Sequence, residues 1–305
     1  MAFIRTVCGD IAPDQLGRTT LHEHLIGRPL LPGEDPDFVL DSEDAAIREL
    51  RHFAEAGGRA VVEMSPADYG RDGLALRRIS EASGVHIITV AGYIKGKSAD
   101  PLVRDLTVTQ IADALIRDVC EGIDGTNVKA GVLKAGTSLN QITANEEKII
   151  EAVAIAQRET GALISTHTEA GTMALEQVAR FTALGVPVER LLIGHLDRNL
   201  NWELHLALAN TGVTFGYDQF GKEKYAPDFQ RIAFVVRMVQ AGFRDQLALS
   251  MDIARRAYFT SYGGGPGFTY LWWRIVPWLK ESGLTDDDIE AIFVRTPARL
   301  LAIDR

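Results

Sequence analysis

Six side chains that could bind a metal ion stand at the ends of apolar, β-branched runs. His22 and His24 lie two residues apart, a spacing at which side chains on a strand point the same way. The other four each close a separate run: Lys134, His167, His195 and Asp252. Imidazole and carboxylate groups are the usual ligands of zinc. Because a buried group of unpaired polar side chains is costly, their convergence would predict a metal site.

A lone histidine at a strand end is more often a satisfied core residue, so the argument depends on the set. The three other histidines have no such placing. His52 lies in a charged helical segment, His86 begins a strand, and His205 lies in the stretch 202–209. We interpret these three as structural residues.

The elements that would carry the six residues alternate along the chain. Longer segments with helical spacing follow the apolar runs, and glycine stands between several helices and the next strand, as at Gly161 and Gly185. The predicted strands are Thr19–His24, Ala60–Met64, Val85–Ala91, Ala130–Lys134, Ala162–Thr168, Leu191–His195, Gly212–Tyr217 and Gln246–Asp252. The clearest predicted helices are Asp44–Ala56, Asn145–Thr160, Thr172–Leu184 and Asp228–Ala241.

Eight β-then-α units predict an α/β fold, a (β/α)8 TIM barrel in which residues 1–305 form a single domain. An open doubly wound sheet is less favoured, because no Gly-x-Gly-x-x-Gly turn follows the first strand. In such barrels the carboxyl ends of the strands meet on one face, where catalytic groups lie. This architecture would bring the six residues together.

Charge and composition exclude several classes of function. The 305 residues contain 32 Lys and Arg against 41 Asp and Glu, a net charge of −9. We therefore expect neither nucleic acid nor a membrane as a partner. Two cysteines suit a reducing compartment, and the first ten residues hold too short an apolar stretch for a signal peptide, so a cytoplasmic location is expected.

The motifs taken together resemble the phosphotriesterase-like branch of the amidohydrolase superfamily. Each fragment is weak alone, but their order and spacing over nearly the whole chain are specific. They are Thr6–Ile11, Gly17–His24, Ala130–Lys134, Glu146–Lys148, Thr160–Gly161, Ser165–Thr168, Gly194–His195, Asp252 and Thr296–Leu301.

The resemblance implies two divalent metal ions. His22, His24 and Asp252 would bind the more buried ion, and His167 and His195 the more exposed one. Lys134, carbamylated by carbon dioxide, would bridge them, since a carbamate presents the carboxylate that two ions ~3.5–4 Å apart require. Lys129 is an alternative, but it precedes the strand. Zinc is favoured, with manganese, cobalt or iron left open.

The resemblance also implies hydrolysis. A hydroxide bridging the metals would attack an ester, and Asp252 would act as the catalytic proton acceptor. Loops after the seventh and eighth strands look like those of sugar-phosphate lactonases in this branch, where a lysine, an arginine and a tyrosine hold a distal phosphate. Lys224, Arg255 and Tyr258 match that trio, and Tyr93 and Lys95 resemble further substrate-binding positions.

We therefore expect a small, anionic lactone, most of all a phosphorylated sugar lactone. One alternative is that Lys222, Lys224 and Arg256 are solvated surface charges. A second is a lipophilic lactonase, acting on acyl-homoserine lactones and with promiscuous phosphotriesterase activity, whose apolar channel would use Phe268, Tyr270, Trp272 and Trp273.

A third alternative is a non-catalytic metal-binding barrel. Late aromatic residues in Phe268–Trp278 would cover the barrel mouth, form an oligomer contact, or pack as a helix on the barrel. We expect a homodimer from the resemblance and these tryptophans.

Overall fold

Eight parallel strands dominate the computed structural model, which describes residues 2–31 and 33–304. Two short antiparallel strands come first, β1 (Phe3–Thr6) and β2 (Gly9–Ile11). The parallel strands follow, and a last strand, β11 (Ala302–Ile303), pairs with β1. The eight are β3 (Thr19–Glu23), β4 (Ala60–Glu63), β5 (His86–Gly92), β6 (Val132–Thr137), β7 (Leu163–Thr168), β8 (Leu191–Ile193), β9 (Thr214–Tyr217) and β10 (Leu247–Leu249).

Each parallel strand pairs with the next in sequence, from β3 to β10. The open edge closes through side chains and loops. Ser250 Oγ accepts hydrogen bonds from the backbone of Leu21 and His22, and the Asp252 N–H donates to the His22 carbonyl at 3.0 Å. The predicted (β/α)8 barrel is therefore confirmed.

Helices connect the strands and cover the outside of the barrel. Side-chain caps start several of them; Ser42, for example, accepts from the Ala45 N–H at the start of the first helix. They are α1 (Glu43–Glu55), α2 (Gly73–Ser83), α3 (Gly96–Val103), α4 (Val108–Cys120), α5 (Ala144–Thr160), α6 (Ala174–Ala183), α7 (Trp202–Ala209), α8 (Asp228–Gln240), α9 (Val276–Glu281), α10 (Asp286–Glu290) and α11 (Thr296–Leu301). Among the described residues, no helix combines the length and the apolar character needed to cross a membrane.

The four predicted helices lie within two residues of α1, α5, α6 and α8, but the ends of two predicted strands are wrong by three residues. β6 continues to Thr137, so Lys134 lies inside the strand. β10 stops at Leu249, and Asp252 lies beyond it with a φ of 48°, a left-handed conformation that ends the extended backbone. Apolar runs alone do not mark these boundaries.

Alternation along β6 explains why Lys134 points into the barrel. Val132 belongs to the apolar cluster inside the barrel, whereas Leu133 packs in the larger cluster between sheet and helices. Lys134, two residues after Val132, shares its direction.

A bulge in β3 explains why His22 also points into the barrel. Leu21 packs inside the barrel, so a regular strand would turn His22 outward. The pairing with β4 shifts by one residue between Thr20 and Glu23, which places an extra residue on β3. This bulge allows Leu21, His22 and His24 all to serve the barrel interior.

The structure packs Phe268–Trp278 on the barrel, helical from Leu271 onward, and the oligomer contact expected from this segment stays a prediction. Phe268 is buried, and Trp272 is buried against Phe53 and Phe293, with ring centroids 5.7 and 4.9 Å away. Trp273 faces outward and is 59 % exposed.

Candidate metal centre

The structure brings the six predicted metal ligands together at one pocket on the carboxyl-end face of the barrel. Nε2 of His22 and Nε2 of His24 lie 3.7 and 3.3 Å from Oδ1 of Asp252. These three residues could hold one ion. Beside them, His195 Nε2 lies 2.9 Å from Nδ1 of His167, which outlines a second position.

Asp218, which the sequence analysis did not single out, orients two of these histidines. Its carboxylate lies 2.7 Å from Nδ1 of His195 and 3.3 Å from Nδ1 of His22, and it accepts the His195 backbone N–H at 3.0 Å. A carboxylate on Nδ1 leaves Nε2 free to bind metal. Asp218 follows the last residue of β9, and this strand-end position was the signal available in the sequence.

Burial controls the charge of the histidines. It lowers the pKa of His22 to about 3, of His24 to about 4 and of His167 to about 3. These imidazoles are therefore neutral at physiological pH, with a lone pair available for an ion. Burial also acts to lower the pKa of His195, but the adjacent Asp218 outweighs it and the pKa is raised.

Lys134 fits the role of a carbamylated bridge. Its side chain is 2 % exposed, and its ammonium donates at 2.7 Å to a neutral group, the carbonyl of Met64. Burial lowers the pKa of Lys134, which favours the uncharged amine that reacts with carbon dioxide. Lys129, the alternative, lines a separate cavity beside β1 and β2.

Asp252 forms an ion pair that the sequence analysis did not anticipate. Nζ of Lys222 donates to Oδ2 and to the backbone carbonyl of Asp252, both at 2.6 Å, and Gln219 Nε2 donates to the same carboxylate at 3.0 Å. Burial would raise the pKa of Asp252, but Lys222 and the histidines hold it well below its usual range. Lys222 is only 7 % exposed, so its interpretation as a solvated charge is wrong.

Two fully buried glutamates hold the ligand-bearing segments in place. Glu23 accepts the backbone N–H groups of Met251 and Ile253, both at 3.0 Å, on either side of Asp252. Glu63 accepts the N–H of Leu25 and of Ser65, and burial raises its pKa to about 7. Ser65 Oγ in turn lies 2.8 Å from Nδ1 of His24.

The pocket above these groups has a volume of about 390 Å³, and both polar and apolar side chains line it. Its charged lining residues include Lys95, Lys97, Glu169 and Arg198. Its apolar lining residues are Pro29, Leu30, Leu31, Phe38, Ile94 and Ala254. Phe268, Tyr270, Trp272 and Trp273 are not among the residues that line the pocket, so the apolar channel expected from them is wrong: they pack near α1, α8 and α9 instead.

The substrate-binding candidates divide into two groups. Lys95 lines the pocket and pairs with Glu169, whereas Tyr93 is 8 % exposed and packs in the outer apolar cluster. Lys224 and Tyr258 are not among the residues that line the pocket. The Lys224 ammonium lies 5.8 Å from the ring centroid of Tyr258 and 4.8 Å from that of Tyr225, which does line the pocket.

Arg255 forms ion pairs with acidic residues of the loop between β3 and α1. Its guanidinium contacts Asp35 at 2.6 Å and Asp37 at 3.4 Å, and it stacks 3.7 Å above the ring of Phe38. Phe38 itself lines the pocket.

Comparison with known proteins finds relatives that match nearly the whole chain. The phosphotriesterase family model matches residues 2–301. A phospho-furanose lactonase of Mycoplasmopsis synoviae is 33 % identical over 99 % of this chain and 92 % of its own length, and an N-acetyltaurine hydrolase of Dictyostelium discoideum is 34 % identical over 87 % and 74 %. The crystal structure of a lactonase from Listeria monocytogenes superposes with a TM-score of 0.95, at 38 % identity over 99 % of this chain and 100 % of that one.

The chain therefore belongs to the phosphotriesterase family, which confirms the resemblance read from the motifs. It is an enzyme of the metal-dependent hydrolase class that acts on ester bonds.

Proposed function

We propose that this enzyme opens a small anionic lactone, most of all a phosphorylated sugar lactone, at a two-metal centre. The observation that carries the proposal is the convergence of His22, His24, Asp252, His167 and His195 around the buried amine of Lys134. Two divalent ions held there, zinc being favoured, would polarise the lactone carbonyl and supply a hydroxide at neutral pH.

The chain's own residues would orient the site and manage the proton. Asp252, kept ionised by Lys222, would accept the proton released by the attacking water and pass it to the ring oxygen as the ring opens. Asp218 would keep the metal-binding nitrogens of His22 and His195 free. Lys134 would act as its carbamate.

The anionic part of the substrate would reach beyond the lining of the pocket to Lys224, Tyr258 and Arg255. An arginine and a lysine suit a phosphate oxyanion. Arg255 would exchange its contact with Asp35 for the phosphate. The relative named a phospho-furanose lactonase supports this substrate class.

The apolar residues that line the pocket favour one other substrate, an acyl-homoserine lactone whose tail would lie against Leu30, Leu31 and Phe38. The relative named an N-acetyltaurine hydrolase adds an amide that also carries a distal anion. A non-catalytic barrel has no observation in its favour, since all six ligand positions are filled.

A substrate panel with matched variants tests the proposal. The zinc-loaded enzyme is assayed with sugar lactones with and without a phosphate, acyl-homoserine lactones of increasing chain length, and N-acetyltaurine. We expect the highest kcat/KM for a phosphorylated lactone. Equal or faster turnover of long-chain acyl-homoserine lactones, or of N-acetyltaurine, would reject that substrate class.

Arg255→Ala should raise KM for phosphorylated lactones by about 10-fold or more and leave unphosphorylated ones nearly unchanged, since one charge-assisted contact is worth about 1.5–3 kcal/mol. Its neighbour Arg256, which bonds Val39 and Asp41, supplies the control variant Arg256→Ala. A KM increase of the same size for both substrate types would remove Arg255 from the phosphate site.

We also propose a homodimer. Trp273 and Phe229 are 59 % and 57 % exposed, and Tyr270 links them: its ring packs on Trp273, and its hydroxyl donates to Asp228 beside Phe229. Exposed apolar side chains that lie together mark a surface for protein contacts. Light scattering after size exclusion should give twice the mass of one chain, and the mass of a single chain would refute the dimer.

A further inference from the structure

We propose that Glu169 is a positioning residue that selects which nitrogen of His167 faces the second metal position. The inference rests on the two-metal centre proposed above. It concerns the wall of the pocket formed by Lys95, Glu169, Arg198 and Tyr225, which we call the Glu169 wall.

The four histidines of the centre differ in the nitrogen that they turn inward. His22, His24 and His195 direct Nε2 toward the other ligands, and each has a partner on Nδ1, namely Asp218, Ser65 and Asp218. His167 is reversed: its Nδ1 faces Nε2 of His195 at 2.9 Å. Its Nε2 therefore needs the orienting partner.

Glu169 supplies that partner. It follows His167 by two residues, just beyond the end of β7, and its Oε2 lies 3.3 Å from Nε2 of His167. A carboxylate in this place accepts the proton of Nε2 and leaves the lone pair on Nδ1. Without it, the ring could take the other tautomer or rotate, because the imidazole side chain has no other partner here among the described residues except His195.

Two cations from other loops fix Glu169 itself. Nζ of Lys95, in the loop after β5, donates to Oε2, and Arg198, in the loop after β8, donates to Oε1 at 3.0 Å. The Arg198 guanidinium also stacks 4.3 Å from the ring centroid of Tyr225, in the loop after β9. The Glu169 wall thus ties four loops of the barrel face to one metal ligand.

This arrangement assigns Lys95 a different part from substrate binding. Its ammonium is committed to Glu169, and loss of Lys95 should loosen Glu169 before it affects an anionic substrate. The two roles predict different measurements, so they can be separated.

Metal affinity, measured without substrate, tests the inference. Five proteins are stripped of metal with chelator, reloaded in bicarbonate and titrated at buffered free zinc, and the bound metal per chain is measured. They are wild type, Glu169→Ala, Glu169→Gln, Lys95→Met and Glu176→Ala. Glu176, exposed in α6, is the control.

We expect two ions in wild type and in the control. In Glu169→Ala the first ion should bind as in wild type, and the second about 10–100-fold more weakly. Glu169→Gln should restore part of this loss, since its amide oxygen still accepts from Nε2. Lys95→Met should weaken the second ion less than Glu169→Ala and leave the ratio of KM for phosphorylated and plain lactones unchanged.

Unchanged affinity for the second ion in Glu169→Ala would overturn the inference. So would Lys95→Met that changes only KM for phosphorylated lactones, because Lys95 would then belong to the substrate. Failure of the wild-type chain to bind zinc would instead reject the proposed function. The thermal midpoint of each metal-free variant shows whether it folds, and if Glu169→Ala does not fold, the Gln variant alone must show a weaker second ion.

Discussion

Replacement of Glu23 by alanine should damage both the stability of the fold and its metal site. The Glu23 carboxylate accepts two backbone N–H groups, from Met251 and Ile253, in a region with no access to solvent. Each buried N–H left without a partner costs about 1–3 kcal/mol, so Glu23→Ala should lower the free energy of unfolding by about 2–6 kcal/mol.

The effect on the metal site follows from the residue between those two N–H groups. Asp252 has a φ of 48°, which a non-glycine residue adopts only when its surroundings impose it. Once Glu23 is lost, the segment can relax and carry the Asp252 carboxylate away from His22 and His24. Zinc affinity at the first position should fall about 10–100-fold.

Glu49 provides a matched control in the same protein. It is also buried, and it accepts the N–H groups of Ser261 and Phe268 and the hydroxyl of Thr260, outside the metal pocket. Glu49→Ala should therefore lose a similar amount of stability and keep its zinc affinity.

Urea unfolding at pH 6 measures the stability of both metal-free variants, and zinc titration measures the site. The pH matters because burial raises the pKa of Glu23 to about 8. The proton is bound more tightly in the folded state, so this group's contribution to stability is complete below pH 4.5 and is lost as the pH rises through 8. A Glu23→Ala variant within about 1 kcal/mol of wild type, or one that binds zinc as Glu49→Ala does, would refute the reasoning.

Three further predictions concern other groups. Burial lowers the pKa of His205 to about 4, so the contribution of this histidine to stability is present above pH 6.5 and is lost as the pH falls through 4. Wild type should therefore lose about 3 kcal/mol more stability than His205→Asn over this range. Parallel curves of unfolding free energy against pH, measured with urea, would contradict this. Lys222→Met removes the ion pair with Asp252. In steady-state kinetics it should lower kcat about 10–100-fold with a smaller change in KM. An effect confined to KM would place Lys222 in substrate binding. Metal-free enzyme reloaded with zinc should regain much more activity with bicarbonate than in carbon dioxide-free buffer, because the carbamate proposed for Lys134 forms from carbon dioxide. Equal recovery in the two buffers would exclude the carbamate.

The barrel and the six candidate ligands were readable from the sequence because both depend on local pattern. Apolar runs alternating with helical spacing specify β-then-α units, and the chemistry of His22, His24, His167 and His195 is visible in their residue types. Once a barrel is predicted, its strand ends must share one face, so the convergence follows without any measured distance.

The supporting residues were not readable, because their roles depend on contacts between distant parts of the chain. Glu23 accepts hydrogen bonds from residues about 230 positions away, and the side chain of Lys222 contacts Asp252, 30 positions later in the chain. The pattern of apolar residues also does not show the bulge in β3, although this bulge turns His22 inward.

Arg255 shows the same division. The sequence predicted Arg255 as a cation for the substrate's anionic group, but only the folded chain brings Asp35 and Asp37 against it. Local periodicity determines which elements form and what chemistry they carry. Closure of the barrel determines which loop side chains meet, because partners far apart in sequence become neighbours only when the strands that carry them are paired.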